Sequence, residues 1–189
     1  MKTPRTRRHS KLMLKLRSYG SYIDEAYQLE AILARKPTRL RIDMVGSGEI
    51  PSDSTLLIRS ILLGRSSRTH IVTNARSSLQ GAAVLVWLMG DTRLIRDDAR
   101  LYFRSAGPFG TDGDRQVWKD RGLFDDDDLE KEDYVRVLHS INEFLPVKEL
   151  AGHLIGVPVL RQFGLVENEK VDDFLTTAFG KSKGALVVR

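Results

Sequence analysis

Residues able to do chemistry are sparse in this chain and fall into a few clusters. Ser77 and Ser78 close a turn of small residues, 74–78, that follows the strand-like run 70–73. An apolar stretch without a polar face, residues 81–89, comes next. A strand feeding a buried helix through such a turn is how α/β folds expose a reacting atom at a helix N-terminus. A second turn, Gly46, Ser47 and Gly48, follows the run 38–45, with Asp43 and Glu49 on either side. Its glycines permit backbone shapes that other residues avoid. His70, His139 and His153 are the candidate bases, but His70 starts a strand and His139 sits mid-helix, where a structural role is the simpler reading.

Other chemistries are excluded or disfavoured by composition. The 189 residues contain no cysteine, so there is no disulfide, thiol nucleophile or thiolate metal site, which fits a reducing, cytoplasmic compartment. Asp125, Asp126, Asp127 and Asp128 invite a calcium reading, yet no glycine-centred ligand loop surrounds them. Acids at a helix N-terminus are accounted for by the helix dipole. No His, Asp and Glu cluster has metal-ligand spacing, so no metal and no cofactor is expected. The apolar run 81–89 falls far short of the roughly 20 residues needed to span a bilayer. No apolar segment follows the basic start, so no secretory signal is expected.

The net charge of +5 comes from one end. Seven Lys and Arg residues and no acid lie within residues 1–17, and without them the chain is close to neutral. No aromatic residue interleaves these charges, so the pattern does not favour nucleic acid and reads as a solvated arm.

The elements that must position the turns alternate regularly. Leu12 opens a first strand. Ser21 or Asp24 caps a helix to Ala34 with Ala26, Leu29, Ile32 and Leu33 on one face. Thr38 to Val45 forms a strand with Leu40, Ile42 and Met44 on one side, and Ser52 or Ser54 caps a helix to Leu63. Strands follow at 70–73, 92–95 and 100–103, then a loop 104–113. A helix carrying Tyr134, Leu138, Ile141 and Leu145 comes next, then a helical turn 158–163 closed by Gly164, a strand at Leu165 and Val166, and a terminal helix 169–179. This order implies βαβ units around a mostly parallel sheet.

In that order the chain resembles the ClpP-type serine peptidases of the ClpP/crotonase superfamily. Residues 42–50 are similar to the family's strand and glycine turn, whose backbone N–H groups form the oxyanion hole. Residues 72–78 are similar to the strand and turn ending in the nucleophilic serine, and 81–91 to the buried helix after it. Residues 100–104 stand where the family has the strand ending in its catalytic histidine, and 164–167 resemble its closing segment. The resemblance implies an α/β, ClpP/crotonase-like spiral of βαβ units over residues 14–168, between a basic arm (1–13) and a C-terminal helix and tail (169–189). It also implies assembly, as a homo-oligomer or with a ClpP-like relative, through the helix after the site strand.

The departures from the family carry the functional expectation. Counted forward from Val72, the nucleophile position falls on Ser78; counted back from Gly90, it falls on Gly81. The two counts differ by three residues, which marks an insertion at the turn. The histidine position holds Arg104, and the aspartate position falls near Gly152, beside His153. Arginine stays protonated and has no lone pair to take a proton. No lysine lies between Lys36 and Lys119 to serve a Ser-Lys dyad. The resemblance therefore implies a catalytically degenerate binding or structural subunit; the alternative is a peptidase or acyl-transfer enzyme using Ser78 and the oxyanion turn at Gly46 to Gly48. Gly46, Ser47, Gly48, Gly81 and Arg104 are expected to converge on an anion, such as a peptide carboxylate, or on an internal partner, with Glu49 and Asp43 as candidates.

Overall fold

A computed structural model describes residues 9–17, 21–105 and 128–166 of the chain. Four parallel strands make the main sheet in the order β1-β2-β3-β5: β1 (His9–Leu16), β2 (Arg39–Gly46), β3 (His70–Ala75) and β5 (Thr92–Ile95). Helix α1 (Ile23–Ala34) joins β1 to β2, and α2 (Ser52–Leu63) joins β2 to β3. Two short strands, β4 (Leu79–Gln80) and β6 (Leu101–Tyr102), pair in parallel as a second small sheet. Helix α3 (Ala83–Leu88) follows β4; α4 (Asp128–Ile141), α5 (Val147–Leu150) and α6 (Val157–Gln162) follow β6. The architecture is the α/β one that the alternation of patterns implies.

Strand periodicity decides which side chains enter the core. In β1, Leu12, Leu14 and Leu16 are buried while Lys11, Met13 and Lys15 are exposed, as period-two alternation requires. The strand starts at His9 rather than Leu12, so residues 9–13 of the expected arm are paired in the sheet with Arg39 to Asp43. Leu40, Ile42 and Met44 of β2 are fully buried, as are Ala26 and Leu29 of α1, with Leu33 at the margin. Ile32, expected on the same face, is only partly buried.

All six residues of α3 are buried, as a helix without a polar face must be. Its C-terminal turn is tied to the sheet through Trp87: Thr73 Oγ1 donates to Trp87 O at 2.7 Å, and Trp87 Nε1 donates to Leu94 O at 2.9 Å.

Three expectations are corrected. The stripe Tyr134, Leu138, Ile141 and Leu145, read as a seam between subunits, is buried in its own domain, where α4 packs on α2 and α3. Leu165 and Val166 form no strand; they follow the Gly164 turn, and Leu165 N–H bonds Leu160 O at 3.0 Å. Neither Ser52 nor Ser54 caps α2, which starts after Pro51, and both serines are buried. The expected helix 169–179 and the loop beyond Ser105 lie outside the described residues.

Candidate functional site

The glycine turn sits at the C-terminal end of β2, where ligands bind in open parallel sheets. Its glycines are demanded by packing. A Cβ at Gly46 would stand 2.6 Å from Leu16 O, and one at Gly48 would stand 2.4 Å from Arg17 C and O. The end of β1 presses on this turn, and no other residue fits there. Ser77 Oγ donates to Gly46 O at 2.6 Å, which ties the turn after β3 to it. Ser47 itself is exposed.

Gly81 lies at the sharp turn from β4 into α3, with φ +55°. Its N–H bonds Tyr102 O at 2.8 Å, completing the small β4–β6 ladder. The place of its missing side chain is taken. A Cβ on Gly81 would stand 1.2 Å from Glu49 Oε1 and 2.1 Å from Glu49 Cδ, so the Glu49 carboxylate occupies that volume.

Arg104 follows β6 and is gripped by Tyr134 of α4. The Arg104 N–H donates to the Tyr134 hydroxyl at 3.0 Å, the hydroxyl donates to Arg104 O at 3.2 Å, and the guanidinium lies 4.1 Å from the ring centroid. Burial pushes the Tyr134 hydroxyl well above the usual phenol range; the Arg104 charge opposes that shift and the Glu49 charge adds to it. Both charges thus act on one buried oxygen. Beside them, Gly152 N–H bonds Phe103 O at 2.8 Å, and Leu101 and Ile155 exchange N–H···O bonds of 2.9 and 2.8 Å. The segment carrying Gly152 and His153 therefore lies alongside β6 and its extension toward Arg104.

No family model matches the chain, and no curated protein matches it. Solved structures do. The ClpP protease catalytic domain from Plasmodium falciparum is 13% identical, covers 86% of this chain and 87% of its own, and superposes with a TM-score of 0.53. A ClpP1 mutant from Listeria monocytogenes is 10% identical, covers 84% and 88%, and gives 0.51. The fold is ClpP-like. At such identities the likeness concerns the fold alone.

Within this ClpP-like fold, the two readings of the nucleophile position are physically distinct. Gly81 is the positive-φ residue between strand and helix. Ser78 lies before β4, is exposed, and uses its Oγ to accept the Arg100 N–H at 3.0 Å. Neither His70, His139 nor His153 hydrogen-bonds it. His70 stands at the start of β3, the opposite end of the strand from the glycine turn, with Nε2 2.9 Å from Thr92 Oγ1. His139 and His153 are exposed.

Asp43 is not part of this site. It is buried among Lys11 Nζ at 2.9 Å, Arg41 Nε at 2.9 Å and Asn74 Nδ2 at 2.7 Å. Of the two acids proposed as partners for the cleft, Glu49 is the one at Gly81. Sequence reasoning missed Tyr134, which it assigned wholly to an apolar stripe. The available signal was its hydroxyl, since a buried tyrosine needs a hydrogen-bond partner.

No group of three or more His, Asp or Glu residues among the described residues could hold a metal. No helix among them is long and apolar enough to cross a membrane.

Proposed function

We propose that this protein is a non-proteolytic, catalytically degenerate ClpP-like subunit that binds or scaffolds within an oligomer. The observation that carries this reading is the turn at Gly81: it has no side chain, and a carboxylate fills the space where a nucleophile would stand. The base position offers Arg104, a guanidinium with no lone pair to take a proton, packed on Tyr134. Losing the serine or histidine of a triad costs about 10⁶ in turnover, leaving what the oxyanion hole and binding supply. A Ser78 route would need a base that His70, His139 and His153 do not provide. Peptide hydrolysis by the purified protein should therefore not exceed that of its Ser78→Ala variant.

Assembly, as copies of itself or with a ClpP-like relative, is part of this reading through the ClpP-like fold, whose family works as rings. The buried stripe on α4 is not part of that argument. Light scattering at micromolar concentration should give a mass above the 21.4 kDa of one chain, and a strict monomer would contradict the oligomer. The absence of cysteine fits a reducing, cytoplasmic setting for such a subunit.

A further inference from the structure

We propose that the space over Gly81 is a carboxylate-binding site whose resident occupant is the chain's own Glu49. This rests on the reading above, in which no nucleophile occupies the turn. Three observations converge on it. The Glu49 carboxylate stands where only a glycine leaves room, its Oε1 at 1.2 Å from the position a Cβ would take. Arg104 is fixed from both ends by Tyr134, its backbone through the hydroxyl and its guanidinium against the ring. The Gly81 N–H bonds Tyr102 O at 2.8 Å, two residues before Arg104, so the space over Gly81 and Arg104 adjoin the same small sheet.

A guanidinium held against an aromatic ring loses little freedom when it binds, and a carboxylate is the anion whose geometry matches its donor fork. Glu49 reaches this place from the adjacent glycine turn, at no translational cost, so it outcompetes any acid arriving from solution. Gly81 is then the residue that makes room for an internal ligand, and the site is closed from within. Removing the Glu49 side chain would leave a space shaped for one carboxylate. The ligand class is a short organic acid or the carboxylate end of a peptide.

The test is thermal unfolding of the full chain in sodium acetate and in sodium chloride at equal ionic strength. Glu49→Ala is expected to melt several degrees below the wild type. Acetate in the tens of millimolar should return about 2–4 °C of that loss, saturably. Chloride should return none, the wild type should not shift, and Glu49→Ala combined with Arg104→Ala should lose the response. A C-terminally free peptide that competes with acetate, where its amide does not, would identify the peptide end as the better ligand; equal effects would identify the small acid.

An acetate response no larger than the chloride response, or an equal response in the wild type, overturns the proposal. If Glu49→Ala does not fold, Glu49→Gln decides: it keeps the shape and loses the charge, so it should melt lower at pH 7, and an unchanged melting temperature overturns the proposal. Labelling by a serine-hydrolase probe would sink the non-proteolytic reading and leave the acetate result standing, so the two failures are distinguishable.

Discussion

Trp87→Ala is expected to lower the stability of the folded chain by about 3–5 kcal/mol, the range for truncating a large aromatic in a packed core. Trp87 is fully buried in α3, a helix with no solvent face along which the void could collapse. The substitution also removes the indole N–H from Leu94 O, leaving a half-buried carbonyl short of its 2.9 Å donor. Domains of this size have only about 5–15 kcal/mol in total, so the variant stands close to the unfolding limit. Urea titration against the wild type gives the difference directly. Trp87→Phe, which keeps the ring volume in part, should lose less. A loss below about 1 kcal/mol for Trp87→Ala would mean that α3 is not packed on all sides.

Asp43→Asn should be the second large effect. Asp43 is 1% exposed and accepts from Lys11, Arg41 and Asn74. The Arg41 side chain is only 12% exposed, so neutralising Asp43 removes a counter-charge from a largely buried guanidinium. Breaking such a pair costs about 3–5 kcal/mol, and the low end applies here because Lys11 is half exposed and its share is screened. The same cluster sets an acid limb. Burial raises the Asp43 pKa, but hydrogen bonds from Asn74, Lys11 and Arg41 outweigh that and hold it below the ordinary carboxylate value. A depressed folded pKa gives stability that is present above the unfolded value of about 3.9 and is lost as pH falls through the folded one. Wild type and Asp43→Asn should therefore differ most at neutral pH and converge in acid. Parallel curves from pH 7 to pH 2 would refute this assignment.

The order of strands and helices was legible because the core strands keep a period of two and α1 a helical period. Burial of α3 was legible for a stronger reason: a stretch of Ala, Val, Leu and Trp has no side to present to water. What escaped the sequence was whatever depended on register between segments. Strand β4 is two residues long, too short to show a period, so the sequence did not show a strand between the turn 74–78 and Gly81. Asp43 alternates with Ile42 and Met44, which already placed it on the other side of β2. Its partners Lys11 and Asn74 become visible only when β1 and β3 are aligned beside it. Glu49 was one of two acids flanking the glycine turn, and nothing local says that its carboxylate crosses to Gly81. The stripe on α4 carried a true period but no information on whether its partner was the same domain or another copy.

The central claim is that no activated serine stands in this fold, and covalent labelling tests it most directly. The full chain is incubated with excess fluorophosphonate probe at neutral pH and its intact mass is measured. The account predicts the unmodified mass for the wild type, with Ser78→Ala indistinguishable from it. Stoichiometric addition of one probe to the wild type, lost in Ser78→Ala, would contradict it.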